Sequence, residues 1–180
     1  MRSVPALHMN ESNTQDLVGR QAIDKLQALV KSQSTCLFAT RLNRIPLNVR
    51  PMTTQQVDDD GSFWFLSSST SEKNRDILEN SHVQLFYSNP SSSEFLTVYG
   101  TCAIVTAKSK VHELWTSLAK AWFPGGKDDP TLTLLRLTPD EAHYWDTKHG
   151  SAIAFLKIVT AALTGNANDS DGVRGKLIVP

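Results

Sequence analysis

The first hydrophobic pattern along the chain is helical. Apolar residues recur every three or four positions between Asp16 and Lys31 while polar residues occupy the opposite face, which predicts an amphipathic helix. Its apolar positions are Ala22, Ile23, Leu26, Leu29 and Val30. Weaker versions of the pattern predict three further helices. The four predicted helices cover residues 16–31, 69–80, 109–122 and 151–164.

Between these helices, apolar residues alternate with polar ones or form short uninterrupted runs, and both patterns predict β-strands. Leu47 and Val49 alternate with polar neighbours, for example, whereas the run over 63–66 is apolar throughout. The predicted strands cover residues 35–40, 45–54, 62–67, 82–87, 94–105, 131–137 and 142–145. Gly100 indicates a bulge or a barrel bend inside the fifth strand, and Pro139 is expected to end the sixth.

The order of these elements decides between two kinds of β-sheet. Most strands follow one another directly, so hairpins dominate and a regular doubly wound βαβ sheet does not fit. About six strands with interspersed helices suit a small antiparallel barrel. We therefore predict a mainly β (α+β) fold, a six-stranded antiparallel barrel with flanking helices, as one domain over residues 16–165. Residues 1–15 and 166–180 are polar and aperiodic, and we predict that they are flexible tails.

Charge narrows the range of partners. The 180 residues include 18 Lys plus Arg and 18 Asp plus Glu, so the formal net charge is zero. Binding to nucleic acid requires a basic excess that displaces counterions from the phosphates, and we therefore expect no nucleic-acid partner. Zero net charge still allows one small anionic ligand, because a few well-placed donors are enough to hold it.

The chain also lacks the patterns of a membrane or metal-binding protein. Its most apolar late stretch, residues 152–163, is shorter than the ~18 residues of a spanning helix and contains Lys157. Cys36 and Cys102 are far apart, and no two histidines have i, i+4 spacing, so no metal site is predicted. We expect no membrane partner and predict a cytoplasmic protein whose thiols are reduced.

The candidate chemistry is a phosphate-binding cradle. Residues 67–73 read S-S-S-T-S-E-K and join the end of a predicted strand to the start of the helix predicted over 69–80. Free N–H groups and the positive end of the helix dipole favour an anion there, and hydroxyls with the Lys73 ammonium complete the donor set. Arg50, on a preceding strand, adds a second cation if the sheet brings it close to Ser67.

Ordinary helix capping is the alternative explanation of the serine run. Ser69 and Glu72 have the spacing of a capping box, which needs no ligand. Pro51 favours ligand binding over capping alone, because proline has no backbone N–H to donate to a neighbouring strand. We expect Pro51 to leave the ladder and to free nearby backbone groups for a ligand.

A second candidate feature is aromatic. Trp122 and Phe123 precede a Pro-Gly-Gly turn, so the pair cannot both belong to a helix core. Aromatic faces beside such a turn suit packing over a planar ring or sealing of a subunit interface. For Trp64 and Trp115 we expect core packing instead.

Four motifs together resemble those of the bacterial general stress proteins, which belong to the pyridoxamine-5′-phosphate-oxidase-like flavin-binding split-barrel superfamily. The motifs read R-P-M-T, F-W-F-L-S-S-S-T-S-E-K, A-W-F-P-G-G-K-D-D-P and H-Y-W-D, and the match runs from Ala22 to Gly165. The resemblance implies a six-stranded split β-barrel, a homodimer, and FMN bound at the subunit interface. FAD is the alternative cofactor.

The resemblance also implies cofactor contacts at eight positions. The segment beside the isoalloxazine ring and the ribityl chain corresponds to Arg50, Pro51 and Met52. The phosphate ligands correspond to Ser67, Ser68, Ser71 and Lys73. Trp122 corresponds to a residue that approaches the flavin from the other subunit.

The function that the resemblance implies is a flavin-dependent oxidoreductase with a small-molecule redox partner. No catalytic side chain is identified, because the flavin itself performs the redox chemistry. Pyridoxamine-phosphate oxidation is not expected, since the Arg-x-His pattern of those oxidases is missing and Arg136 is followed by Thr138. One alternative is a non-catalytic protein that stores flavin (FMN, FAD or a deazaflavin) or senses stress. Haem binding on the same fold is a third hypothesis.

Overall fold

A computed structural model describes residues 14–147 and 172–179 of the chain. The helix predicted over 151–164 and residues 1–13 of the predicted N-terminal tail therefore lie outside the described residues. The strands are β1 Leu17–Val18, β2 Thr35–Thr40, β3 Asn48–Val57, β4 Phe63–Ser68, β5 His82–Asn89, β6 Glu94–Val105, β7 Leu132–Thr147 and β8 Gly172–Ile178. The described helices are α1 Arg20–Ser32, α2 Glu72–Glu79 and α3 Lys108–Leu114, with 3-10 segments at Ser117–Ala121 and Gly126–Asp128. None of these helices has the length and apolar content to span a membrane.

Six of the strands close into a barrel. Their hydrogen-bonded order is β7-β4-β3-β2-β5-β6, and β6 pairs again with β7, every pair being antiparallel. Strand β8 extends the sheet along the second half of β7, and β1 pairs with β8 in parallel. The predicted fold class, a six-stranded antiparallel barrel with flanking helices, is confirmed.

Alternating strand positions fill the interior of the barrel. Phe38 and Phe65 are fully buried and meet edge to face, with their ring centroids 5.2 Å apart. Helix α1 packs against the same core, and all five of its predicted apolar residues are buried. The amphipathic pattern therefore predicts correctly which residues of this helix are buried.

Strand β7 is longer than predicted because Pro139 does not end it. The strand continues to Thr147, and Pro139 lies opposite Gly100 where the register between β6 and β7 shifts. The pairing passes over Asp140, so the irregularity lies opposite Gly100 on β7 and not inside β6 as expected. A Cβ atom at Gly100 would lie 2.2 Å from the carbonyl oxygen of Thr138, so only glycine allows the two strands to approach this closely.

The helix predicted over 109–122 is interrupted after Leu114. The next two residues are extended, and the chain then forms a 3-10 segment. Trp115 packs against Phe123, with 6.4 Å between ring centroids, at the edge of a second core cluster that contains Trp64. Trp64 is buried as predicted, whereas Trp115 is only partly buried. The packing of Trp115 and Phe123 on this cluster outweighs the helical pattern of hydrophobic residues over 109–122.

The C-terminal segment 166–180 is predicted to be a flexible tail, but its residues Gly172–Ile178 form strand β8. Leu177 of β8 is buried between exposed neighbours, as alternation in a half-buried strand requires. A Cβ atom at Gly175 would lie 1.9 Å from the carbonyl oxygen of Gln15, so glycine permits the contact with the preceding segment. Strand β8 forms because it pairs with strands that are distant in sequence. The pattern of residues 172–178 alone therefore predicts a strand only weakly.

Candidate anion-binding site

The serine run lies where strand β4 ends and helix α2 begins. Strand β4 ends at Ser68, and Ser71 caps the helix, because its hydroxyl accepts a hydrogen bond from the backbone N–H of Asn74 at 3.3 Å. The helix therefore starts from Ser71, and the capping box expected from Ser69 is wrong. Capping and ligand binding are compatible here, since a cap occupies only some of the free N–H groups of the first turn.

Asn74 ties the strand end to the helix. Its Oδ1 accepts hydrogen bonds from the hydroxyls of Ser67, at 2.6 Å, and Ser71, at 3.0 Å. Its Nδ2 donates to the hydroxyl of Thr133 at 3.1 Å, and that hydroxyl donates to the Ser67 carbonyl at 3.2 Å. Ser67 is thus buried and its hydroxyl is hydrogen-bonded to Asn74, whereas Ser68 remains partly exposed.

Arg50 reaches the same region from strand β3. Its Nη1 donates to the Thr40 hydroxyl at 2.6 Å, and its Nη2 lies 3.5 Å from Oδ2 of Asp76 on α2. The Thr40 hydroxyl in turn donates to Oδ2 of Asp76 at 2.6 Å. Strands β2 and β3 and helix α2 therefore hold the guanidinium jointly.

Asp76 is a buried carboxylate at the centre of these contacts, with its side chain only 4% exposed. Burial by itself raises the pKa of Asp76, but hydrogen bonds from Asn48 and Thr40 act against burial. The charges of Arg50 and Arg41 act in the same direction as those hydrogen bonds, so the pKa lies below its ordinary value. Asp76 is therefore ionised at neutral pH.

Lys73 is the cation of the site whose charge is least compensated. Burial lowers the pKa of Lys73, and the nearby charge of Arg50 lowers it further. The neighbouring carboxylates pair with other cations, Asp76 with Arg41 and Arg50 and Glu79 with Arg41. In the described part of the chain, no carboxylate forms a salt bridge with Lys73. Two cations that repel each other beside a helix N-terminus are a donor set that fits a phosphate group.

Strand β3 has a free edge beside Arg50. Its ladder with β4 starts only at Thr54, so the preceding residues of β3 pair with β2 alone. Pro51 lies in that ladder opposite Leu37, and the expectation that it leaves the sheet is wrong. Thr54 donates its N–H to the carbonyl of Ser34 on the β2 side at 2.9 Å. Because donors alternate along a strand, the N–H that Pro51 lacks would belong to the free edge.

Hydrophobic side chains are exposed on the outer surface next to Pro51. Leu37 pairs with both Pro51 and Phe86, so these residues lie in a row across three strands. Leu37 is 51% exposed and Phe86 41%. We call the exposed hydrophobic set on β2, β3, β5, β6 and β7 the apolar outer face; it comprises Leu37, Val49, Pro51, Phe86, Phe95 and Trp145. Exposed apolar side chains that lie side by side on neighbouring strands, as Leu37, Pro51 and Phe86 do, are typical of an interaction surface.

The two other predicted cofactor contacts have different surroundings. Met52 is partly buried and packs against the barrel core beside the free edge of β3. Trp122 follows the 3-10 segment Ser117–Ala121 and is 76% exposed. Leu118, one turn before it, is 79% exposed. The structure therefore gathers Arg50, Lys73 and the serines at one place and leaves Trp122 free to contact another molecule.

A groove of about 340 Å³ runs between helix α1 and the second half of β3. It starts two residues beyond Met52 on the same strand. Its lining residues are Gln27, Val30, Lys31, Ser34, Thr54, Gln55, Gln56 and Val57. Most of these lining side chains are polar, and only Val30 and Val57 are aliphatic.

Neither a metal cluster nor a reactive thiol occurs among the described residues. No group of three His, Cys, Asp or Glu side chains there is arranged to hold a metal ion. Cys36 and Cys102 are free and buried. Burial raises the pKa of each thiol to about 12, so both remain protonated at neutral pH.

Comparison with known proteins identifies a matching family. A family model described as "Pyridoxamine 5′-phosphate oxidase like" matches residues 21–169, most of the chain. Protein bli-3 of Neurospora crassa is 26% identical over 134 residues, which cover 69% of this chain and 64% of that protein. This chain thus spans less than two thirds of the length of that relative.

Two solved structures have a similar fold. A structure from Jannaschia sp. CCS1, described as a general stress protein 26, has a TM-score of 0.68 at 24% identity and covers 88% of this chain and 96% of its own. The general stress FMN/FAD binding protein of Xanthomonas citri has a TM-score of 0.61 at 29% identity. That match covers 70% of this chain and 89% of the Xanthomonas protein.

Proposed function

This chain belongs to the pyridoxamine 5′-phosphate oxidase-like family, as the four sequence motifs indicate, and from that premise we propose that it binds FMN. The observation that carries the proposal is the position of Lys73, which lies in the first turn of α2 near Arg50 and forms no salt bridge with a carboxylate of the described residues. Burial lowers the pKa of Lys73, and the charge of Arg50 lowers it further. A phosphate between them would relieve that repulsion. Ser68 and the first N–H groups of α2 would supply further donors, whereas the Ser71 hydroxyl already donates to Asn74.

We propose that the rest of the flavin follows strand β3. A strand rises about 3.3 Å per residue, so Gln55 lies about 16 Å beyond Arg50, roughly the span of FMN from its phosphate to the far end of its ring. Pro51 and Met52 lie along this path. The free edge of β3 offers unpaired backbone groups to the ribityl chain.

A bound flavin would supply electron or hydride transfer without requiring a protein acid or base. The role of the protein is then to bind and orient the cofactor and to keep water from one face of the flavin ring. We propose a cytoplasmic oxidoreductase that uses a reduced nicotinamide or another small reductant. Pyridoxamine phosphate is excluded from the proposal because the Arg-x-His substrate motif is missing.

We further propose that the flavin lies at the interface of a homodimer. Pro51, a proposed flavin contact, is itself part of the apolar outer face. A second copy of the chain would cover that face, and Trp122 of the second copy would then be available to cover the ring. Exposed Leu37 and Phe86 would become buried in the same contact.

A non-catalytic flavin-binding protein is the second candidate function, with FMN, FAD or a deazaflavin as its ligand. This candidate uses the same cradle residues as the oxidoreductase, and neither function requires a protein acid or base at the site. The relative from Xanthomonas is named for FMN and FAD binding. A storage or sensing role would need only the cradle.

Two experiments test the proposal. The visible spectrum of the purified protein, with mass analysis of whatever denaturation releases, should show a flavin; a Soret band would indicate haem instead. Titration with riboflavin, which lacks the phosphate, should show weaker binding than titration with FMN. Protein that is colourless and remains so after incubation with FMN would contradict the proposed function.

Reduction kinetics separate the two candidate functions. Under anaerobic conditions, fast bleaching of the bound flavin by NADH or NADPH supports an oxidoreductase. Bleaching by dithionite alone supports a binding protein. Both outcomes require a bound flavin and so leave the cradle assignment intact.

A further inference from the structure

Asp76 stands behind the phosphate cradle and contacts Arg50 both directly and through a hydroxyl. The Thr40 hydroxyl accepts a hydrogen bond from Arg50 and donates one to Asp76, both at 2.6 Å. A hydroxyl has one proton, so donation to Asp76 leaves its lone pairs for the guanidinium. The carboxylate thereby sets the direction of the hydroxyl that holds Arg50.

Without this carboxylate, the Thr40 hydroxyl has another acceptor nearby. The carbonyl oxygen of Asn48 lies 3.4 Å from it, and a hydroxyl that turned there would reorient its lone pairs. Arg50 would then also lose its ion pair at 3.5 Å. A long side chain without such anchors adopts several rotamers, and ordering it again on binding costs entropy.

We propose that Asp76 is a positioning residue that aims the Arg50 guanidinium, through Thr40, at the phosphate of the bound ligand. The inference rests on the proposed function, since it takes FMN as the ligand of the cradle. It adds a specific role for a residue that does not itself touch the phosphate.

The charge of Asp76 creates a competing effect with the opposite sign. A negative carboxylate behind the cradle repels a phosphate, so its neutralisation would strengthen FMN binding if Coulomb repulsion were the larger effect. Positioning predicts weaker binding instead. We expect positioning to dominate, because the carboxylate is already neutralised by Arg50 and Arg41 while the orientation of Arg50 depends on it.

The test compares FMN and riboflavin as ligands of Asp76→Asn and Thr40→Val. We expect each substitution to weaken FMN binding about tenfold, the effect of losing one well-directed charged hydrogen bond, and to leave riboflavin binding unchanged. In an Arg50→Ala background, the same substitutions should change FMN binding by less than about twofold, because the group that they position is missing. Asp146→Asn is the matched control, since it removes a partly buried carboxylate paired with Lys25 elsewhere in the fold.

The outcomes separate this inference from the proposed function. If the unmodified protein fails to bind FMN, both are overturned. If it binds FMN but Asp76→Asn binds it as tightly or more tightly, only the positioning role is overturned. Equal losses for FMN and riboflavin also overturn it, because they indicate general damage to the structure. Should Asp76→Asn fail to fold, the same comparison on Thr40→Val decides.

Discussion

Lys73 is the residue whose charge most directly links folding to ligand binding. Burial lowers the pKa of Lys73 in the folded chain, and Arg50 lowers it further, whereas the unfolded chain has the ordinary value near 10.5. The unfolded chain therefore holds the proton more tightly, and protonated Lys73 opposes folding. A bound phosphate has the opposite effect, because a neighbouring negative charge favours the ammonium.

We predict that Lys73→Met makes the flavin-free protein more stable and its FMN binding weaker. The stability gain comes from removal of a poorly compensated charge, and FMN affinity should fall at least about tenfold with the loss of a charged hydrogen bond. Urea unfolding without ligand and titration with FMN measure the two effects. Lys108→Met, at an exposed lysine, should change neither.

The pH dependence of this effect has a definite sign. The folded protein releases the Lys73 proton at lower pH than the unfolded chain, so the unmodified protein should gain stability relative to Lys73→Met as pH rises towards 10.5. Urea midpoints between pH 7 and pH 10 follow this difference. A variant that is less stable than the parent over that whole range would show that the lysine has a stabilising partner within the protein.

The residues of the cradle differ in how far the sequence reveals them. Arg50, Lys73 and the serines can be predicted, because a strand end, a run of hydroxyls and nearby cations form a recognisable pattern. Asn74 and Asp76 cannot, since one amide and one carboxylate in a short helix have no pattern of their own. Their roles depend on threonines 59 and 36 residues away, which only the fold brings into contact.

At the scale of elements, helix α2 depends on its cap. Ser71 bonds the N–H of Asn74, whereas Ser69 is exposed and precedes the helix. We predict that Ser71→Ala lowers the free energy of unfolding by about 1 kcal/mol, the usual contribution of an N-cap. Ser69→Ala is the matched control and should be nearly neutral. Thermal or urea unfolding of both variants checks the assignment, and equal losses would contradict it.

The contact between β6 and β7 depends on Gly100 in a similar way. We predict that Gly100→Ala lowers the free energy of unfolding by about 1–3 kcal/mol, because its methyl group would overlap the carbonyl of Thr138. Gly172→Ala, in β8, places a methyl group where no atom lies within 4 Å and serves as the control. Denaturant unfolding measures both, and a neutral Gly100→Ala would mean that the bulge adjusts freely.

The elements found correctly are those whose signal is local. Strands β2 and β6 have the predicted bounds, because each is a short apolar or alternating stretch. The predictions are wrong where a segment distant in sequence determines the secondary structure. The helix over 109–122 breaks to pack on the second core cluster, and residues 172–178 become a strand because β7 and β1 flank them. Pro139 remains in β7 because the register with β6 shifts at the next residue, Asp140.

At the scale of the molecule, the barrel follows from the predominance of hairpins, but its closure does not. Pairing of β6 with β7 joins segments that neither adjoin in sequence nor share a turn signal. The closed barrel then leaves Leu37, Phe86, Phe95 and Trp145 exposed on its outside. Apolar residues at these strand positions would be expected in a core, and their exposure is the physical argument for the proposed dimer.

We predict that the protein is a dimer and that its apolar outer face is the contact. The unmodified protein should have a mass of twice 19.9 kDa by light scattering. Leu37→Glu or Phe86→Glu places a charge in the middle of the face, where burial without a partner is costly, and should shift the protein to monomers. Leu78→Glu, at an exposed residue on α2 outside this face, should leave the dimer intact.

Measurements of FMN affinity test the same interface independently of measurements of the oligomeric state. If the second copy completes the site, FMN affinity should fall together with the dimer fraction in Leu37→Glu and Phe86→Glu, while Leu78→Glu retains both. Trp122→Ala should then weaken FMN in the dimer and have no effect in a monomeric variant, because its ring would act only across the interface. Monomeric variants that bind FMN as tightly as the parent would show that the cradle and the groove of one chain suffice.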